Sequence, residues 1–192
     1  PPGHPFTAKD IPAPVGPYAV SKHEAEAGLQ KIAQKTGLGV VIIRPPLVYG
    51  PGVKANFLNM MQWVSKGIPL PFGAIHSKRS LVALDNLVDL ILACVVHPDA
   101  PNHVFLVKDG EDLTAARLIK SISEALGQPS RLFPIPQSMV ALGLKMMGKK
   151  VEEQRLCRSL QIDMTDTKKI LGWVPPVRFN DALIKTVETV RP

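Results

Sequence analysis

The 192-residue sequence predicts an α/β protein, with a sheet portion up to about residue 110 and a smaller, mostly helical lobe behind it. Three observations carry this expectation. Helix-period segments alternate with short strand-like runs from Tyr18 onward. The run GVVIIRPP (39–46) places four aliphatics in a row, the pattern of a strand buried on both faces of a parallel sheet. Beyond about residue 110 amphipathic and Met-rich helical stretches take over.

The elements follow in order. Pro1, Pro2, Pro5, Pro12, Pro14 and Pro17 forbid helix at the start and favour an extended surface loop. From Tyr18 to Thr36 the spacing predicts a helix with Ala25, Leu29, Ile32 and Ala33 on one face and Gly37 as its stop. GVVIIRPP is the next strand, NFLNMMQWVSKG a helix and RSLVAL a strand. DNLVDLILACVVH reads as a helix capped by Asp85, and HVFLV as a further strand. LTAARLIKSISEALG predicts a helix with Thr114 as N-cap, Leu118, Ile122 and Leu126 on one face, and Gly127 just past the end. A Met-rich helix near 137–147, a basic knot and two short amphipathic helices complete the lobe.

Composition narrows the partners. With 45% hydrophobic residues the chain buries one good core, or one core and a small lobe. No apolar run approaches the ~18 residues of a bilayer span, and the opening residues lack the pattern of a secretory signal, so a cytoplasmic location is expected. Cys94 and Cys157 stand apart with no metal-ligand spacing, and the five histidines form no ligand pairs, so neither disulfide nor metal is expected. A net charge of +7 favours anionic partners. Nucleic acid is not expected, because the basic residues are scattered and aromatics make up only 5%. An anionic membrane surface has the lesser place, resting on MVALGLKMMGKK (139–150).

Tyr18 and Lys22 are spaced i, i+4, which puts them on one helix face. A lysine ammonium beside a phenol favours the phenolate, which suits a tyrosine to moving a proton. PYAVSKHEAE is followed by RPPLVYGPG, then KRSLVALDNLVD, then KKILGWVPP. In that order and spacing, these motifs resemble the C-terminal two thirds of the extended short-chain dehydrogenase/reductases, in the NAD-dependent nucleotide-sugar epimerase/dehydratase branch typified by UDP-glucose 4-epimerase. The resemblance covers about Pro17 to Val190.

The resemblance implies a partial Rossmann-like, doubly wound parallel sheet. Residues 1–110 would be the C-terminal part of an NAD-binding domain, with substrate-contacting insertions near 53–80, and 111–192 a substrate-binding lobe. It implies that Tyr18 and Lys22 are catalytic and also touch NAD, with Pro45 and Pro46 in the loop beside the nicotinamide. Leu47 stands where many epimerases have asparagine. For a nucleotide-diphosphate sugar it implies contacts from Asn56 and Phe57 near the diphosphate, Leu70 and Phe72 along the uracil, and Arg79 and Arg155 at the phosphates. A guanidinium fork suits a diphosphate. A homodimer through the Tyr18–Thr36 helix is a further expectation.

One string, Gly50-Pro51-Gly52-Val53-Lys54-Ala55, fits G-x-G-x-x-A. It is set aside as a dinucleotide loop because Pro51 removes a donor and Phe72 stands where a ribose-binding acid belongs. The chain therefore reads as the C-terminal portion of a UDP-sugar 4-epimerase, expected to be inactive and to bind NAD poorly by itself. The alternatives are a 4,6-dehydratase or related reductase, and a non-catalytic nucleotide-sugar-binding module.

Overall fold

The computed structural model describes residues 4–148 and 156–190. Helix α1 (Pro17–Thr36) starts with proline in its first turn and ends at Gly37, whose left-handed φ of 73° lets its N–H close on Ala33 O. Strand β1 (Ile42–Arg44) returns antiparallel to α1, and β2 (Leu47–Tyr49) follows the proline pair. Then come α2 (Ala55–Ser65), β3 (Lys78–Arg79), β4 (Leu81–Ala83), α3 (Leu84–Val96) and β5 (Val104–Leu106). The remainder is β6 (Leu113–Thr114), α4 (Ala115–Leu126), α5 (Gln137–Met146), α6 (Thr165–Leu171), α7 (Phe179–Val187) and a 3-10 turn, Glu188–Val190. Among the described residues no helix is long and apolar enough to cross a membrane.

The strands pair as β1 with β5 and β2 with β4, both parallel, and β3 with β6, antiparallel. β4 is the wall between two cores. Its side chains alternate faces, so Leu81 and Ala83 join Tyr49, Phe57, Leu118, Ile122 and Leu183 on one side. On the other side Val82 joins Leu90, Phe105, Leu171 and Trp173.

Three local expectations are corrected. RSLVAL is two strands, because Ser80 leaves the line: its N–H donates to Leu160 O at 2.9 Å and its hydroxyl to Asp112 Oδ1 at 2.6 Å. Asp85 does not cap α3; Ala83 occupies the N-cap position, and Asp85 instead pairs with Lys185 at 3.2 Å. β1 is less covered than its aliphatic run predicts, and the apolar face of α1 is open. No α1 side chain is buried, Leu29 and Ile32 are exposed, and only Ile42 of β1 is buried, since β5 is its one strand partner among the described residues.

Candidate active site

Tyr18 is the second residue of α1, where the helix has just left its proline-rich lead, and it is 77% exposed. One turn on, the Lys22 ammonium lies 5.6 Å from the centroid of the Tyr18 ring, as the i, i+4 spacing requires. The next two turns tie the helix to the sheet. Arg44 Nε, at the end of β1, donates to both carboxylate oxygens of Glu26 at 3.1 Å, and both side chains are largely covered. Because β1 runs antiparallel to α1, its carboxyl end and the Pro45–Pro46 bend lie toward the helix start. Open α/β sheets bind ligands outside their strands' carboxyl ends. A cleft of about 400 Å³ between Gln30, Ala33, Gln34, Ile42, Asn102 and His103 lies at the other end of α1.

Of the residues expected around a substrate, Phe57, Leu70 and Phe72 share one core. Asn56 is exposed in the first turn of α2, while Phe57 is 1% exposed and stacks on Tyr49 with ring centroids 5.5 Å apart. A ligand contact from Phe57 would therefore use its backbone. Leu70 is buried and Phe72 packs on the same cluster. Their segment runs parallel to residues 132–136: Leu70 N–H donates to Arg131 O at 2.9 Å, Phe133 N–H to Leu70 O at 3.1 Å, and Gly73 N–H to Phe133 O at 3.2 Å. Arg79 sits on β3, half-buried, opposite Leu113 and beside Leu160. Arg155 lies outside the described residues.

Two polar groupings, one buried and one partly buried, were not legible as a site. Asp109, 1% exposed, accepts from Tyr49 Oη at 2.7 Å, Asn86 Nδ2 at 2.7 Å and Ala83 N–H at 3.0 Å. Asn86 in turn donates to Val177 O and accepts from Val177 N–H, at 2.9 and 2.8 Å, which fixes the C-terminal segment to α3. Burial, and next the Asp109 hydrogen bond, push the Tyr49 phenol far above its ordinary value, so it acts as a donor. The second grouping is Asp112, held by Ser80, Gln161 and Lys108. The only sequence signal for either was an acid a few residues past a strand, KDGED, with nothing to name its partners.

The string Gly50-Pro51-Gly52-Val53 closes on itself. Val53 N–H donates to Gly50 O at 3.0 Å and Gly52 takes φ 78°, the geometry of a type II turn with proline in its second position. Its amide hydrogens are thus not gathered toward a pyrophosphate.

Comparison with known proteins agrees with this geometry. Residues 1–107 match the model of the NAD dependent epimerase/dehydratase family. The chain is 47% identical to a UDP-glucose 4-epimerase from Vibrio cholerae, over 97% of the chain and 57% of that protein. It is 28% identical to one from Mycolicibacterium smegmatis, over the whole chain and 58% of that protein. The crystal structure of UDP-glucose 4-epimerase from Thermotoga maritima with UDP-glucose superposes with a TM-score of 0.73 at 26% identity, covering 97% of this chain and 57% of that one. The chain thus spans little more than half the length of these relatives. Its parallel strand pairs, its α1 start and the match over residues 1–107 place it in the NAD-dependent epimerase/dehydratase family.

Proposed function

We propose that the protein carrying this chain is an NAD-dependent UDP-sugar 4-epimerase. The observation that carries the reading is the Tyr18–Lys22 pair, exposed at the start of α1 with the ammonium 5.6 Å from the ring centroid, toward the carboxyl end of β1. NAD, when bound, supplies the acceptor and donor of the hydride. The chain's own part is proton handling. Tyr18 Oη takes the proton of the sugar hydroxyl as the C–H bond breaks, and returns it after reduction from the other face. Lys22 would place its ammonium beside the phenol and hold the nicotinamide ribose, while Pro45 and Pro46 would line that end with rigid backbone.

In this reading residues 1–110 complete an NAD-binding domain and 111–192 form the substrate-binding lobe. Asn56, the Leu70–Phe72 stretch, Arg79 and Arg155 face the nucleotide sugar, Phe57 contributes through its backbone, and the exposed Leu29 and Ile32 of α1 meet a second copy. The same reading keeps the protein in the cytoplasm. The 192 residues alone are inactive. The test is interconversion of UDP-glucose and UDP-galactose by the full-length protein with NAD. Tyr18→Phe should lower kcat by about a hundredfold or more with little change in substrate affinity; near-normal turnover refutes the assignment.

A further inference from the structure

Lysine and glutamate four residues apart on a helix are neighbours and stabilise each other by pairing. Lys22 and Glu26 have that spacing on α1, yet Lys22 forms no ion pair among the described residues. Its ammonium leans the other way, 5.6 Å from the centroid of the Tyr18 ring. Glu26 is taken from β1 instead. Arg44 Nε donates to both of its carboxylate oxygens at 3.1 Å and Nη2 donates to Oε2, a fork that occupies both oxygens. The two side chains are only 28% and 22% exposed. Two further titratable groups lie within a turn on α1. Glu24, two positions from Lys22 and from Glu26, is exposed and stands off their shared face. His23, three positions before Glu26, has its Nδ1 buried with no hydrogen-bond partner among the described residues.

We propose that Arg44 is a positioning residue: by holding Glu26 in its fork it withholds the carboxylate that would draw the Lys22 ammonium down the helix, and so leaves that charge beside the Tyr18 phenol. Direction decides the case. Tyr18 stands one turn before Lys22 and Glu26 one turn after, about 12 Å apart along the axis at 1.5 Å per residue, so the ammonium serves one end or the other. A full negative charge on a partly covered carboxylate outbids the quadrupole of an exposed ring. The fork is what prevents this, since a planar guanidinium engages both oxygens where a lysine would be a point charge. The proposal rests on the proton-transfer reading of Tyr18 and Lys22, and adds to it the residue that sets which way Lys22 faces.

The experiment frees Glu26 by Arg44→Met in the full-length protein. The crystal structure of that variant should show Lys22 Nζ turned to within about 4 Å of a Glu26 oxygen. With NAD and UDP-glucose, kcat should fall about tenfold or more at little changed KM, inside the ~hundredfold that a misplaced catalytic group costs. Adding Glu26→Gln removes the competing charge, so the double variant should return Lys22 to the Tyr18 ring and recover most of kcat. An ion pair that only fastened helix to sheet would give no such recovery. Arg44→Lys, the milder change should Arg44→Met not fold, should show a smaller loss that Glu26→Gln likewise recovers. Lys22 unmoved in the Arg44 variant, Glu26 turned to His23 instead, or a double variant no better than the single one overturns the proposal. Failure of the epimerase reading looks different: Tyr18→Phe would keep its turnover, whatever the crystal structure shows of Lys22.

Discussion

Asp109 shows at a single residue how a buried charge is kept. Its carboxylate holds three donors, from Tyr49, Asn86 and the Ala83 backbone, and each comes from a different element. Removing one hydroxyl leaves the carboxylate under-solvated but not bare, so Tyr49→Phe should cost about 1.5–3 kcal/mol in urea unfolding, the scale of a hydrogen bond to a charged group. Asp112 adds a pH dependence. Burial raises its carboxyl, but hydrogen bonds from Ser80, Gln161 and Lys108, together with the Lys108 charge, more than offset this and hold it below the ordinary carboxylate value. A depressed folded-state value means that the unfolded chain binds the proton more readily. This contribution is therefore present above about pH 4 and lost as pH falls through the lower folded value. Thermal midpoints measured from neutral to acid pH should show Asp112→Asn lower at neutrality and flatter on the acid side.

Among the elements, α4 is the one whose ends and face the sequence states most completely. The Thr114 hydroxyl accepts the Arg117 N–H at 3.1 Å, and Leu118 and Ile122 are buried. Thr114→Ala should cost about 1 kcal/mol, read as a lower urea midpoint at constant slope. That helix was legible because caps and 3.6-residue periodicity are local signals. The break at Ser80 was not, because its cause is a partner strand segment at Leu160, 80 positions away along the chain. Of the candidate site, the Tyr18–Lys22 pair could be read from one helical turn. Asn86 and Asp109 could not, since nothing near either residue names the other, or Val177. Phe57 illustrates the same limit. Its place in a motif pointed to a ligand, while tertiary packing gave its ring to Tyr49.

For the whole molecule, the question is what these 192 residues can bind by themselves. A dinucleotide site needs a glycine turn with its amides aimed at the pyrophosphate, a helix N-terminus behind it and an acid for the ribose. The single matching string closes as a type II turn in which Pro51 has no amide hydrogen and the Val53 amide is spent on Gly50 O. Phe72, where the acid would stand, packs on the core. The Tyr18–Lys22 pair and the proline bend, which the proposed reading places at the nicotinamide end, supply none of these elements. Calorimetric titration of the 192-residue chain with NAD should therefore show no saturable binding in the micromolar range, whereas protein extended to the length of the Vibrio relative should bind. Micromolar affinity in the short chain would mean that the Gly50–Ala55 loop opens to take the pyrophosphate. The discriminating variant is then Gly52→Ala, which strains the turn at φ 78° and would abolish that binding only if the loop held the cofactor.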